Sequence, residues 1–96
     1  MKPSEVLELH RSFIRETVLK HHAENPRIFG SVCQGTDTEL SDLDLLVDPL
    51  PHTSLFDLGA IQIELEERLG ITIDLLTPRE LPLAFRQHVL QGALPV

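Results

Sequence analysis

Apolar residues in the first part of the chain recur at helical spacing. Val6, Leu9, Phe13 and Val18, with Ile14, predict an amphipathic helix over residues 4–22. Asn25-Pro26 breaks that pattern. Arg27-Ile28-Phe29 then reads as a short strand running into Gly30-Ser31, and residues 32–41 are polar and rich in turn formers. Asp42-Leu43-Asp44-Leu45-Leu46-Val47 alternates and then turns continuously apolar, as a strand with at least one buried face does. Asp48-Pro49-Leu50-Pro51 should end it. Helical spacing returns with Leu58, Ile61, Leu65 and Leu69, which predicts a helix over 54–69. Ser54 with Asp57 resembles a capping box at its start, and Gly70 suits its C-terminal cap. Ile71-Thr72-Ile73-Asp74-Leu75-Leu76 reads as a third strand. Thr77-Pro78-Arg79-Glu80 has the cap, N1 proline and N3 glutamate of a helix start. Pro82 lies too deep for a regular helix, so a short turn is expected there and the main helix from about 83 to 91. Leu81-Pro82-Leu83, Phe85 and Val89 read as core, and if exposed they would point to a partner surface. The order helix, strand, strand, helix, strand, helix predicts an α/β fold, a small sheet of three or four strands packed with helices.

The length of 96 residues suits one domain, 1–96. A chain of this size buries about 60–70% of its unfolded surface, so any activity must sit on one core. No apolar run approaches the roughly 18 residues of a membrane span, and MKPSEVLELH lacks the apolar stretch of a signal peptide. A cytoplasmic location is expected. The single cysteine, Cys33, can form no internal disulfide. The net charge of −7, from eight Lys and Arg against fifteen Asp and Glu, argues against a grip on long nucleic acid. It is compatible with a site that recruits divalent cations, which then carry phosphates.

The candidate chemistry lies in the carboxylates that interrupt the strands. Asp42 and Asp44, two apart, point to one face of a strand. Their repulsion is costly unless a cation joins them or one is protonated. Hard oxygen ligands of this kind suit Mg²⁺. Asp74 interrupts another apolar strand, and strand pairing could bring it to the same face. Three such carboxylates could hold two ions about 4 Å apart, the spacing used in two-metal phosphoryl chemistry. Gly30, at a strand end, lets the backbone turn and approach a ligand closely. A short helix at 32–35, closed by Gly35, would offer its amides and the Ser31 hydroxyl to phosphate oxygens. Other residues have plainer readings. Cys33 is a small packing residue, His21-His22 marks a helix end, and Glu64, Glu66 and Glu67 form a solvated helix face.

The run FGSVCQGTDTELSDLDLLVD resembles the signature of the DNA polymerase β-type nucleotidyltransferase superfamily, in particular its minimal nucleotidyltransferases (MNT domains, MntA-type antitoxins). The following IDLLTPREL and the last helix resemble the end of that minimal fold. The resemblance implies that Asp42, Asp44 and Asp74 are catalytic carboxylates holding Mg²⁺, with Asp74 helping to activate the acceptor hydroxyl. Gly30 and Ser31 would hold the β- and γ-phosphates of ATP. Attack at the α-phosphorus would then release pyrophosphate. The family often has Ala-Arg-Gly where this chain has Cys33-Gln34-Gly35, so neutral Gln34 stands in place of a candidate phosphate or partner contact.

Larger relatives add an acceptor-binding domain for which this chain has no room. In the resembled family the acceptor is often a HEPN-domain RNase toxin, silenced by AMP transfer onto its tyrosine. The resemblance therefore implies an antitoxin-like adenylyltransferase working in a hetero-oligomer. The alternative is an antitoxin that neutralises its partner by binding alone. The chain contains no tyrosine, which excludes tyrosine self-modification within it.

Overall fold

The computed structural model describes all 96 residues. The elements in chain order are α1 (Pro3–Lys20), β1 (Ala23–Phe29), α2 (Gly30–Gln34), β2 (Leu43–Pro49), α3 (Leu55–Leu69), β3 (Ile73–Leu76), a 3₁₀ turn (Pro78–Glu80), α4 (Leu83–Gly92) and β4 (Leu94–Pro95). The four strands form one mixed sheet in the order β3-β2-β1-β4. β2 and β3 are parallel, joined through α3, and the other two pairings are antiparallel. No helix is long and apolar enough to cross a membrane.

Side chains alternate along β2. Leu43, Leu45 and Val47 are wholly buried in the main core, where they meet Val6, Ile14 and Val18 of α1 and Ile61 and Leu65 of α3. The other face of β2 carries Asp44 and Leu46. Leu46 is buried too, but it lies outside the main core, as does Leu81. The 3₁₀ turn just before Leu81 packs on β2. One end of the second face is thus covered by an apolar lid, and the Asp44 end is left open.

Several expectations are corrected. Leu9 is 68% exposed. At roughly 100° per residue it lies about half a turn from Val18, on the back of the stripe set by Leu7, Ile14 and Val18. Asn25-Pro26 does not precede β1 but lies inside it. The pairing with β2 shifts register between Glu24 and Arg27, and Asn25 takes a left-handed φ of 53°. This is a bulge, whose extra residue the turn chemistry of Asn-Pro accommodates. Asp48, expected to end β2, stays paired opposite Glu24. Its carboxylate accepts from the Asn25 amide at 2.9 Å and the Arg27 guanidinium at 3.2 Å, which pins the bulge. The last helix buries no residue. Leu81 is buried, on the second face of the sheet and outside the main core, but Leu83 is 82% exposed, Phe85 53%, and Val89 is only half-buried.

Capping of α3 follows the sequence. Ser54 Oγ accepts from the Asp57 amide at 3.1 Å, the Asp57 carboxylate accepts from the Ser54 amide at 2.9 Å, and Gly70 ends the helix at φ 70°. Capping of α1 is local only in part, through the Glu5 carboxylate, which accepts from the Lys2 backbone amide at 2.8 Å. Lys2 stands at its N-cap and has no acceptor to offer. Asp37, distant in sequence, supplies it: Oδ2 accepts from the Ser4 amide at 2.9 Å. The polar segment between α2 and β2 is thereby tied to the start of α1.

Candidate active site

The strand register assembles the site. Asp44 lies opposite Phe29, the last residue of β1, and beside Asp74 of the parallel neighbour β3. Asp44 and Asp74 therefore share one face, as expected if the two strands pair. Asp42 lies just before β2, with its side chain in solvent. It sits two residues before Asp44, on the same side of the chain by alternation.

Asp44 is the half-buried member of the set, and Asp74 is exposed. Burial pushes the Asp44 carboxyl up to about 6, and the charges of Asp74 and Asp42 and a hydrogen bond shared with Asp74 push it in the same direction. Like charges facing one another across a sheet destabilise it. The site is thus an arrangement that a cation or a proton must relieve.

Gly30 lies directly against Asp44. Its φ is 70°, and a Cβ built on it would overlap Asp44 Oδ2 and come 3.1 Å from its Cγ. Only glycine both takes this turn without strain and leaves room for the carboxylate. α2 starts here, two residues earlier than expected, and ends at Gly35 with φ 74°. The Thr36 amide donates to the Ser31 carbonyl at 2.9 Å, closing the short loop. Ser31 is half-buried at the first turn of α2, with Gln34 exposed at its far end. Cys33 packs against the core, and its thiol donates to the Gly92 carbonyl at 3.2 Å. It has the packing role expected of it.

The other residues singled out fall away from this face. His21 Nε2 lies 2.9 Å from Glu64, and His22 Nδ1 lies 3.2 Å from Asp57. These contacts clasp the end of α1 to α3. Glu64 also holds Lys20 at 3.2 Å, and Glu66 accepts from the Ile73 amide at 3.1 Å. Only Glu67 of the three glutamates is the solvated residue expected.

No three His, Cys, Asp or Glu side chains form a closed metal cage by themselves. Magnesium does not require one, because it is usually held by one or two carboxylates plus substrate phosphates and water. The crowded Asp44, with Asp74 beside it and Asp42 two residues before it, fits that mode.

Sequence and fold comparisons identify the family. The chain belongs to the polymerase beta nucleotidyltransferase family, whose model matches residues 14–94. It is a nucleotidyltransferase domain with the minimal fold of that class. A Methanocaldococcus jannaschii protein whose assigned name is protein adenylyltransferase is 36% identical over 89 residues, 93% of this chain and 95% of the relative. A solved structure described as a minimal nucleotidyltransferase matches with a TM-score of 0.86 at 35% identity, over 97% of this chain and 95% of the other. A toxin–antitoxin crystal structure containing AMP-PNP shares the fold, with a TM-score of 0.65 at 21% identity over 84% of this chain and 70% of that one.

Two residues of the site region escaped the sequence reading. Asp37 anchors the segment between the Gly-Ser and Asp-x-Asp motifs, yet its partner Ser4 is 33 residues away and no local pattern reveals it. Leu46 looked like one more residue of a buried run, and only the sheet shows that it belongs to the site face.

Proposed function

We propose that the chain is a Mg²⁺-dependent nucleotidyltransferase that transfers AMP from ATP to a hydroxyl of a partner protein. The tyrosine of a HEPN-type RNase toxin is the acceptor that the family resemblance favours. The observation that carries this reading is Asp44, crowded between Asp74 and Asp42 and lying on Gly30. Asp42, Asp44 and Asp74 would hold Mg²⁺, which when bound supplies charge neutralisation at the triphosphate. Gly30 lets the β- and γ-phosphates approach the backbone, and the Ser31 hydroxyl and the first amides of α2 orient them. Asp74, on the exposed flank of the set, accepts the proton of the acceptor hydroxyl. The hydroxyl oxygen bonds to the α-phosphorus while the bond to the bridging oxygen breaks, and pyrophosphate leaves with that electron pair. Positioning and electrostatics carry such a transfer. The relatives named for protein adenylylation and the toxin–antitoxin neighbour support this choice of donor and acceptor.

The test is incubation with Mg²⁺ and the protein encoded next to this chain, using ATP labelled at either the α- or the γ-phosphate. Label should enter the partner from the α-position only, and Asp44→Asn should reduce it by about 100-fold or more. Transfer that is absent, or equal in Asp44→Asn, overturns the reading. Full neutralisation of the partner by Asp42→Ala/Asp44→Ala would instead favour an antitoxin that acts by binding alone, the reading that neutral Gln34 motivates.

A further inference from the structure

The segment between the two motifs carries a feature that nucleotide binding does not use. Leu40 is 96% exposed, two residues before Asp42. It is held there by a tight turn. The Ser41 amide donates to the Thr38 carbonyl at 3.0 Å, the Thr38 amide donates to Ser41 Oγ at 2.9 Å, and the Leu40 amide donates to Thr38 Oγ1 at 3.2 Å. The adjacent Asp37 is fastened to the start of α1. A leucine projected fully into water from a bonded turn adds nothing to this core.

Leu40 stands at the lip of an open cleft of about 500 Å³ that reaches Asp42 and runs past Ile71 and Thr72 to Glu66. Glu39, Asp42 and Glu66 contribute three carboxylates to its lining, and no Lys, Arg or His lines it. The Met1 ammonium, which does not line it, lies 3.9 Å from Glu39. The cleft therefore offers no cationic side chain to a bare anion, and it is complementary to a cationic chain.

We infer that the Thr38–Ser41 turn and this cleft dock the acceptor protein, through a basic segment whose apolar side chains cover Leu40. This inference rests on the nucleotidyl-transfer reading and names the acceptor's chemistry. A rigid apolar anchor loses little conformational entropy on binding. It would be encircled here by charges that select the partner and set its approach to Asp42 and Asp74.

The test uses two fluorescein-labelled peptides, Arg-Leu-Tyr-Leu-Arg and a twin with Glu in place of both Arg, followed by fluorescence anisotropy. The full chain should bind the basic peptide about tenfold or more tighter than its twin, and Leu40→Ser should weaken that binding about tenfold. Glu39→Gln/Glu66→Gln should abolish the discrimination, and the substituted side chain at position 66 keeps an amide oxygen for the Ile73 amide. Glu16→Gln/Glu24→Gln makes the same change in net charge away from the cleft and should leave the Kd within about twofold. Asp44→Asn should keep the peptide affinity while losing AMP transfer. Peptide binding without any transfer from ATP would thus sink the catalytic reading and leave the docking surface standing. Equal affinity for both peptides, no measurable binding of either, or unchanged binding in Leu40→Ser overturns the inference. A Leu40-dependent dimer in the ultracentrifuge also overturns it, by assigning the leucine to a second copy of the chain.

Discussion

Asp44 is where stability and activity oppose each other. Its carboxyl is raised from the usual 3.8 to about 6, so in the metal-free protein its ionised form opposes folding above about pH 6. That cost fades as the pH falls below 6 and is gone below the ordinary carboxylate range. Asp44→Asn should therefore stabilise the metal-free protein at pH 8 by about 1 kcal/mol, the full shift being discounted because the side chain is only half-buried and partly screened by solvent. This corresponds to roughly 4–8 °C in Tm, a gain that should vanish near pH 4. Mg²⁺ with a non-hydrolysable ATP analogue should raise the Tm of the native protein and leave Asp44→Asn unmoved. Differential scanning fluorimetry with and without chelator checks both expectations. Gly30→Ala presses on the same carboxylate from the other side. The positive φ alone should cost about 1–2 kcal/mol in urea denaturation. The displaced Asp44 should remove AMP transfer even where the variant is folded.

At the scale of the element, the most informative contact is the cap that Asp37 gives to α1. Asp37→Ala should lower stability by about 1 kcal/mol, and Asp37→Asn, an equally good cap, should stay close to the native value. The Ser4 amide holds the Asp37 carboxyl below its usual range. The stability it contributes is therefore complete above the ordinary carboxylate pKa and is lost as the pH falls through the lowered value. Acid unfolding followed by circular dichroism should show that extra loss in the native chain and not in Asp37→Asn. Helix caps of local origin, at Ser54, Asp57, Gly70 and Gly35, were legible because their partners lie within a few residues. This one was not, because donor and acceptor come from segments far apart in the chain.

Across the whole molecule, apolar composition is a poor guide to where the energy lies. Ile61→Ala or Leu65→Ala should cost about 2–5 kcal/mol, since both side chains are wholly buried between α3 and the sheet. Leu83→Ser and Phe85→Ser, on the exposed face of α4, should stay within about 0.5 kcal/mol. Urea midpoints separate the two groups. The reading of Leu83 and Phe85 as core failed because a short apolar helix carries no sign of whether a partner element lies over it. Here the apolar end of the site face is already closed by Leu46 and Leu81.

The chain by itself determined the order of the elements from α1 to α4 but not β4, the caps within one turn of their partners, and the candidates for the chemistry: Asp42, Asp44, Asp74, Gly30 and Ser31. Those features depend on spacing over a few residues, where backbone geometry leaves little choice. Tertiary structure alone decided that Asp44 lies in register with Asp74 and against Gly30, that Asn25-Pro26 is a bulge rather than a break, and that Asp37 caps α1. Each of these joins segments far apart in sequence, and their meeting depends on how the sheet packs as a whole.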